Sequence, residues 1–157
     1  MFAWLAQTWG FNPQSESSDL DSESESSESS ESSESSNTHP RINEALDLLK
    51  KYSPQDYADV CQSKIEIRDQ TGAYYWENVI GVAQQDLQNY GLEWLAGVLV
   101  HEEHHNKLFR ELGSKTNSQV EELACIDRQI SALKKIGAPW SEIRSLEQED
   151  GLHYLRV

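Results

Sequence analysis

Over residues 92–100 the chain leaves almost no polar face: Leu92, Trp94, Leu95, Ala96, Val98, Leu99 and Val100 cover close to three helical turns on every side. A helix that is apolar all round has no face to give to solvent, so it must run through the middle of the domain. The same pattern continues through His101-Glu102-Glu103-His104-His105 to Leu112, where Gly113 stops it in the C′ position ahead of Ser114, Lys115, Thr116 and Asn117. Five ionisable side chains are thereby carried into the interior or to its edge. Such groups persist there only when they hold one another, a metal or a substrate.

Their spacing points to the metal. His101-Glu102-x-x-His105 is an HExxH sequence, and residues four apart on a helix lie on one face, one turn from each other. Two imidazoles so placed can share an ion at about 2.0 Å each, and the Glu beside the first is positioned as general base toward a water held by that ion. Such a site needs a third protein ligand. The next helix offers two: Ser118 caps it with Glu121 as its capping-box partner, and Glu122 follows. Against an expected buried stripe of Leu123, Ile126, Ile130 and Leu133, Glu122 lies near the edge and Glu121 almost opposite. Glu122 is therefore read as the ligand and Glu121 as cap and solvent residue. His104, one position off the ligand face, reads as a neighbour, and Glu103 as a solvent or salt-bridge residue. Cys61 and Cys125 stand in no metal-type pair and read as small buried apolar groups.

Around this pair the pattern predicts an α+β domain. Residues 40–51 form a helix with Ile42, Ala45, Leu46 and Leu49 inward, and Ser53-Pro54 starts a short second helix to Cys61. Residues 64–68 alternate as a strand, residues 69–72 turn, and residues 73–83 form a second strand region; the two pair as a small antiparallel sheet. The helix carrying Glu122 runs to Ile136 before Gly137-Ala138-Pro139. A last amphipathic piece spans residues 141–149, and residues 152–157 alternate weakly. Trp94, Phe109 and Trp140 read as core aromatics.

The first quarter of the chain is different in kind. Residues 15–36 hold 13 Ser, 8 acidic residues and Leu20, too little apolar surface to offset the entropy of ordering, so residues 1–37 are expected to be a disordered acidic tail and residues 38–157 the folded domain. Of the chain's 27 acidic and 13 basic residues, 19 and 13 lie outside that tract, leaving the domain mildly acidic. No basic stripe exists for nucleic acid or an anionic membrane. The apolar start (Met1 to Phe11) lacks the charge and length of a signal peptide or a membrane span, which favours a cytoplasmic location. The Ser/Glu tract itself suits a basic partner or Ca²⁺, and Ser22, with Glu25 three places on, fits an acidophilic kinase.

Residues 73–136 together resemble the core of the zincin metallopeptidases in their gluzincin branch, as a small uncharacterised member. The likeness rests on the aromatic strand from Tyr74-Tyr75-Trp76 through Ile80, the apolar lead-in from Leu95 to Val100, the His101–His105 motif, and a downstream helix with Glu122, Cys125, Gln129 and Leu133. It implies one zinc per chain on His101, His105 and Glu122, with Glu102 as catalytic base. It implies peptide-bond hydrolysis of a peptide or protein substrate by a Glu-activated, zinc-bound water. The substrate would lie extended along an edge strand near Val79 to Val82. Larger members orient the first histidine with an Asp after the ligand Glu; here the nearest is Asp127, one residue further on. His153 and Tyr154 are the only downstream counterparts for the family's oxyanion-stabilising residue. The alternative is a catalytically inactive zincin-fold protein that binds metal and partners without cleaving.

Overall fold

A computed structural model of the chain describes residues 39–69, 73–76, 78–113 and 118–151. The acidic tail, the apolar N-terminal peptide, most of the turn at residues 69–72 and the C-terminal residues 152–157 lie outside them. Helix α1 (Pro40–Tyr52) buries Ile42, Ala45 and Leu49; His39 caps it, Pro40 opens it, and Lys50 and Lys51 face its negative end. In α2 (Pro54–Val60) Ser53 occupies the N-cap position, but its hydroxyl donates to the Asp56 carboxylate rather than accepting from the helix backbone.

The sheet departs from the expected one. The segment taken as one strand breaks at Asn78, whose φ of 68° lies in the left-handed region that Asn tolerates. It becomes a hairpin of β2 (Tyr74–Trp76) and β3 (Val79–Ala83), with Tyr75 opposite Ile80. Reversing the chain there turns β3 into the direction of β1 (Lys64–Arg68), and the two pair in parallel, Ile65 opposite Ile80. The order is β1-β3-β2, so the pairing of the first and second strand regions is parallel, not antiparallel. β3 is the central strand, buried from Ile80 to Ala83, and has no free edge of the kind a substrate strand at Val79 to Val82 would need. A short α3 (Gln84–Asn89), too brief to leave a periodic signal, leads on to Gly91.

Helix α4 (Leu92–Leu112) is the central element that its composition demands. Residues 95–100 are all buried, and it packs against α1, α2, the sheet and α5 (Gln119–Ile136). Gly113 ends it at φ 69° in the αL conformation, and Ser118 caps α5 by accepting from the Glu121 N–H at 3.2 Å. Of the expected stripe on α5, Ile126, Ile130 and Leu133 are buried, but the packed face extends well past it. Leu123 is exposed, while Cys125, Gln129, Ala132, Leu133 and Ile136 are buried with Glu121 and Glu122. Helix α4 comes very close to this face at Gly97. A Cβ built there would stand 2.9 Å from Leu133 Cδ2 and 3.2 Å from Gln129 Cγ.

Gly97 lies one turn before His101, so this contact sets the spacing of the two helices that carry the candidate ligands. Gly97→Ala should therefore destabilise: overpacking costs about 1–3 kcal/mol, against up to about 1 kcal/mol returned by helix propensity. A Tm equal to or above the wild type would show that α4 and α5 can separate freely. Helix α6 (Trp140–Glu147) closes the described chain. It places Ile143 and Leu146 against Ile126, Ile130, Leu133 and Trp94 in an outer apolar cluster separate from the main core. Trp140 is 61% exposed and is not a core residue. No helix among the described residues is long and apolar enough to cross a membrane.

Candidate metal centre

Helix α4 delivers His101 and His105 to one face, ring centroids 4.9 Å apart, and their Nε2 atoms approach to 3.2 Å. Glu122 comes from the first turn of α5. Its Oε1 is 3.3 Å from His101 Nε2, and its Oε2 is 3.2 Å from His105 Nε2. Ligands at about 2.0–2.1 Å from a tetrahedral zinc are about 3.3 Å apart. Two imidazole nitrogens and a carboxylate thus already stand at the separations that such an ion imposes.

The second ring nitrogens differ. His105 Nδ1 lies 3.0 Å from Glu121 Oε1, so the N–H donated there leaves the Nε2 lone pair facing His101 and Glu122. Glu121 is thus a buried orienting carboxylate, not the solvent-facing residue expected from the stripe, although its backbone N–H does make the capping bond. Asp127, the sequence counterpart for orienting the first histidine, His101, is exposed. His101 Nδ1 is buried with no hydrogen-bond partner among the described residues. Removing a carboxylate that orients a ligating imidazole typically weakens metal binding about 10–100-fold. Glu121→Ala should lose zinc affinity to that extent in a competition titration; unchanged affinity would exclude the role.

Electrostatics separates the carboxyls. Burial alone would raise Glu122, but hydrogen bonds and charge from His101 and His105 outweigh it and hold the group well below the ordinary carboxylate range. Glu102, buried beside them, is pushed up to about 7 by burial; His101 opposes the shift and Glu122 adds to it. Cys125 is fully buried one turn beyond Glu122, and its Sγ lies within 4.8 Å of one donor atom each of His101 and His105. It is a further candidate ligand that the sequence reading counted only as an apolar group. Burial, with Glu122, Glu102 and Glu121 adding, drives its thiol far above its usual range, so at neutral pH it carries a proton where Glu122 carries a charge.

The rest of the motif serves packing. Glu103 is 2% exposed, accepting from Ser63 Oγ and paired with Arg110 at 2.5 Å, so it is a salt-bridge residue but not a solvent one. His104 is half-buried beside Asp56, Asp59, Lys107 and Arg128; burial lowers its pKa, with Arg128 next in effect. Asp56, buried, pairs with Arg128 and Lys135, which ties α2 to α5.

His101 and Glu122, but not His105, border a cleft of about 390 Å³ including its open mouth, between α4, α5 and the end of α6. Trp94, Val98, Ile126 and Leu146 wall it, His101, Glu102, Glu122 and Gln129 supply its polar surface, and Glu149 stands at the exposed rim. Trp94, expected as core, packs on the outer cluster and also faces this cleft. His153 and Tyr154 lie outside the described residues. The chain reaches Gly151 beside Gln119 O and Leu123, next to Glu122 in sequence. Compared with known protein families, curated proteins and solved structures, the chain matches none.

Proposed function

We propose that this chain is a zincin-type, zinc-dependent peptidase, with His101, His105 and Glu122 holding one metal ion and Glu102 acting as general base. The observation that carries the reading is the triangle of donor atoms at 3.2–3.3 Å, completed by an ionised carboxylate and opening on an apolar cleft. When bound, zinc would supply Lewis-acid polarisation of the scissile carbonyl and lower the pKa of a water at the site toward 7.

The remaining work falls to side chains. Glu102 borders the cleft next to His101 and is not among the three donor groups, so its carboxylate is available to take a proton from the attacking water and return it to the leaving amine. Its pKa near 7 suits both halves of that transfer. Glu121 keeps His105 in the tautomer that presents Nε2.

The test is metal dependence. Purified full-length protein should contain one zinc per chain and degrade an unstructured protein such as casein. A chelator should stop the reaction and added zinc restore it. Hydrolysis that survives full metal removal, or a chain that takes up no zinc, would sink the reading. One feature favours a second possibility, a metal-holding protein that does not cleave: among the described residues lining the cleft there is no Tyr or Arg, and no His beyond His101, to stabilise an oxyanion. One zinc per chain with no cleavage of any unstructured protein would select it.

A further inference from the structure

We propose that the cleft selects peptides carrying a large apolar side chain beside a cationic group, and that Glu149 is the residue that reads the cation. The inference rests on the peptidase reading of the same site. The apolar half follows from the walls: Trp94, Val98, Ile126 and Leu146 converge from three helices on one small space, too narrow for a folded partner.

The charged half follows from what lines the rest. Among the described lining residues, Glu102, Glu122 and Glu149 are acidic, and none is Lys or Arg. A divalent ion held by Glu122 beside Glu102 would offset those two carboxylates, leaving Glu149 as the remaining acidic group among the described lining residues. Glu149 has no ion-pair partner among the described residues, and its backbone N–H is bound to Leu146 O at 3.0 Å. Helix α6 is in turn anchored by Ile143 and Leu146 in the outer cluster and by Lys134–Glu147 at 2.9 Å. The rim charge therefore stands at a defined place beside the apolar walls. A substrate's Lys, Arg or α-ammonium would find a partner there. A C-terminal carboxylate would find no Lys or Arg among the described lining residues, so these side chains favour a cationic over an anionic neighbour.

The experiment uses full-length protein and two blocked, unstructured decapeptides, each with a single Leu flanked either by Lys or by Glu. Wild type should favour the Lys peptide about three- to five-fold in kcat/KM at low salt, through KM, the size of effect that an exposed charge pair gives. The preference should shrink as salt rises. Glu149→Lys should invert it with zinc content and Tm unchanged. Calorimetric binding of both peptides to Glu102→Gln protein should give the same order without turnover. If wild type cleaves neither peptide yet the binding order holds and inverts with Glu149→Lys, the peptidase reading fails and the recognition stands. Equal binding of the two peptides, no binding of either, or a Lys preference that survives Glu149→Lys overturns the inference.

Discussion

Glu102→Gln protein is expected to hold zinc with wild-type stoichiometry and to hydrolyse peptides about 10²–10⁴-fold more slowly, the range that a positioned general acid–base contributes. The substitution keeps the shape of a side chain that is almost fully buried, so packing should survive. It leaves the donor triangle intact, because His101, His105 and Glu122 make their close approaches without Glu102. What it removes is a carboxyl whose pKa burial has raised to about 7, in range to accept and return a proton at neutral pH. Measuring kcat beside metal content by atomic emission separates the effects. Full turnover in this variant would exclude Glu102 as the base, and loss of zinc would show that it is a ligand instead.

The second large effect concerns the third ligand. Glu122→Ala should cost zinc affinity well beyond the 10–100-fold typical of an orienting residue, whereas Cys125→Ala should leave it within about tenfold. The two residues lie on the same buried face, and each is near both histidines. They differ in charge. His101 and His105 hold Glu122 ionised, while burial among Glu122, Glu102 and Glu121 keeps Cys125 protonated, and a metal must displace that proton to bind sulfur. A zinc-dependent rise in Tm gives an independent readout, since zinc at 100 times its Kd adds about 2.7 kcal/mol to stability. That rise should vanish in Glu122→Ala and persist in Cys125→Ala. The reverse pattern would move the site onto the thiol.

The elements that were legible in the sequence are those determined by neighbours along the chain. The His101–His105 spacing, the αL glycines at 113 and 137, the Ser118 cap and the Pro40 and Pro54 helix starts all act within one or two turns, and each stands where its local chemistry places it. The apolar run at residues 95–100 also required a central helix wherever the other elements fell, because no solvated face was available to it. Three features were decided otherwise. β1 pairs in parallel with β3 because a reversal at Asn78 brings the chain back between its neighbours, and an alternating pattern reads the same in either direction. On α5 the expected Ile126, Ile130 and Leu133 are buried, but the buried face widens to Glu121, Cys125 and Gln129 and leaves Leu123 outward, because the close approach at Gly97 brings Gln129 as well as Leu133 against α4.

The last feature is the division of labour between the two glutamates. Sequence reasoning set Glu121 and Glu122 as alternatives about 100° apart on a helix. In the structure both reach His105, one at Nδ1 and the other at Nε2, because an imidazole presents nitrogens on two sides and α5 crosses where it can meet both. Sequence alone determined which residue types could meet a metal and on which helix they would stand. Only the packing of α4 against α5 decided which carboxylate meets the Nε2 atoms of both histidines and which meets His105 Nδ1, because how two helices face each other is set by side-chain volumes far apart in the chain.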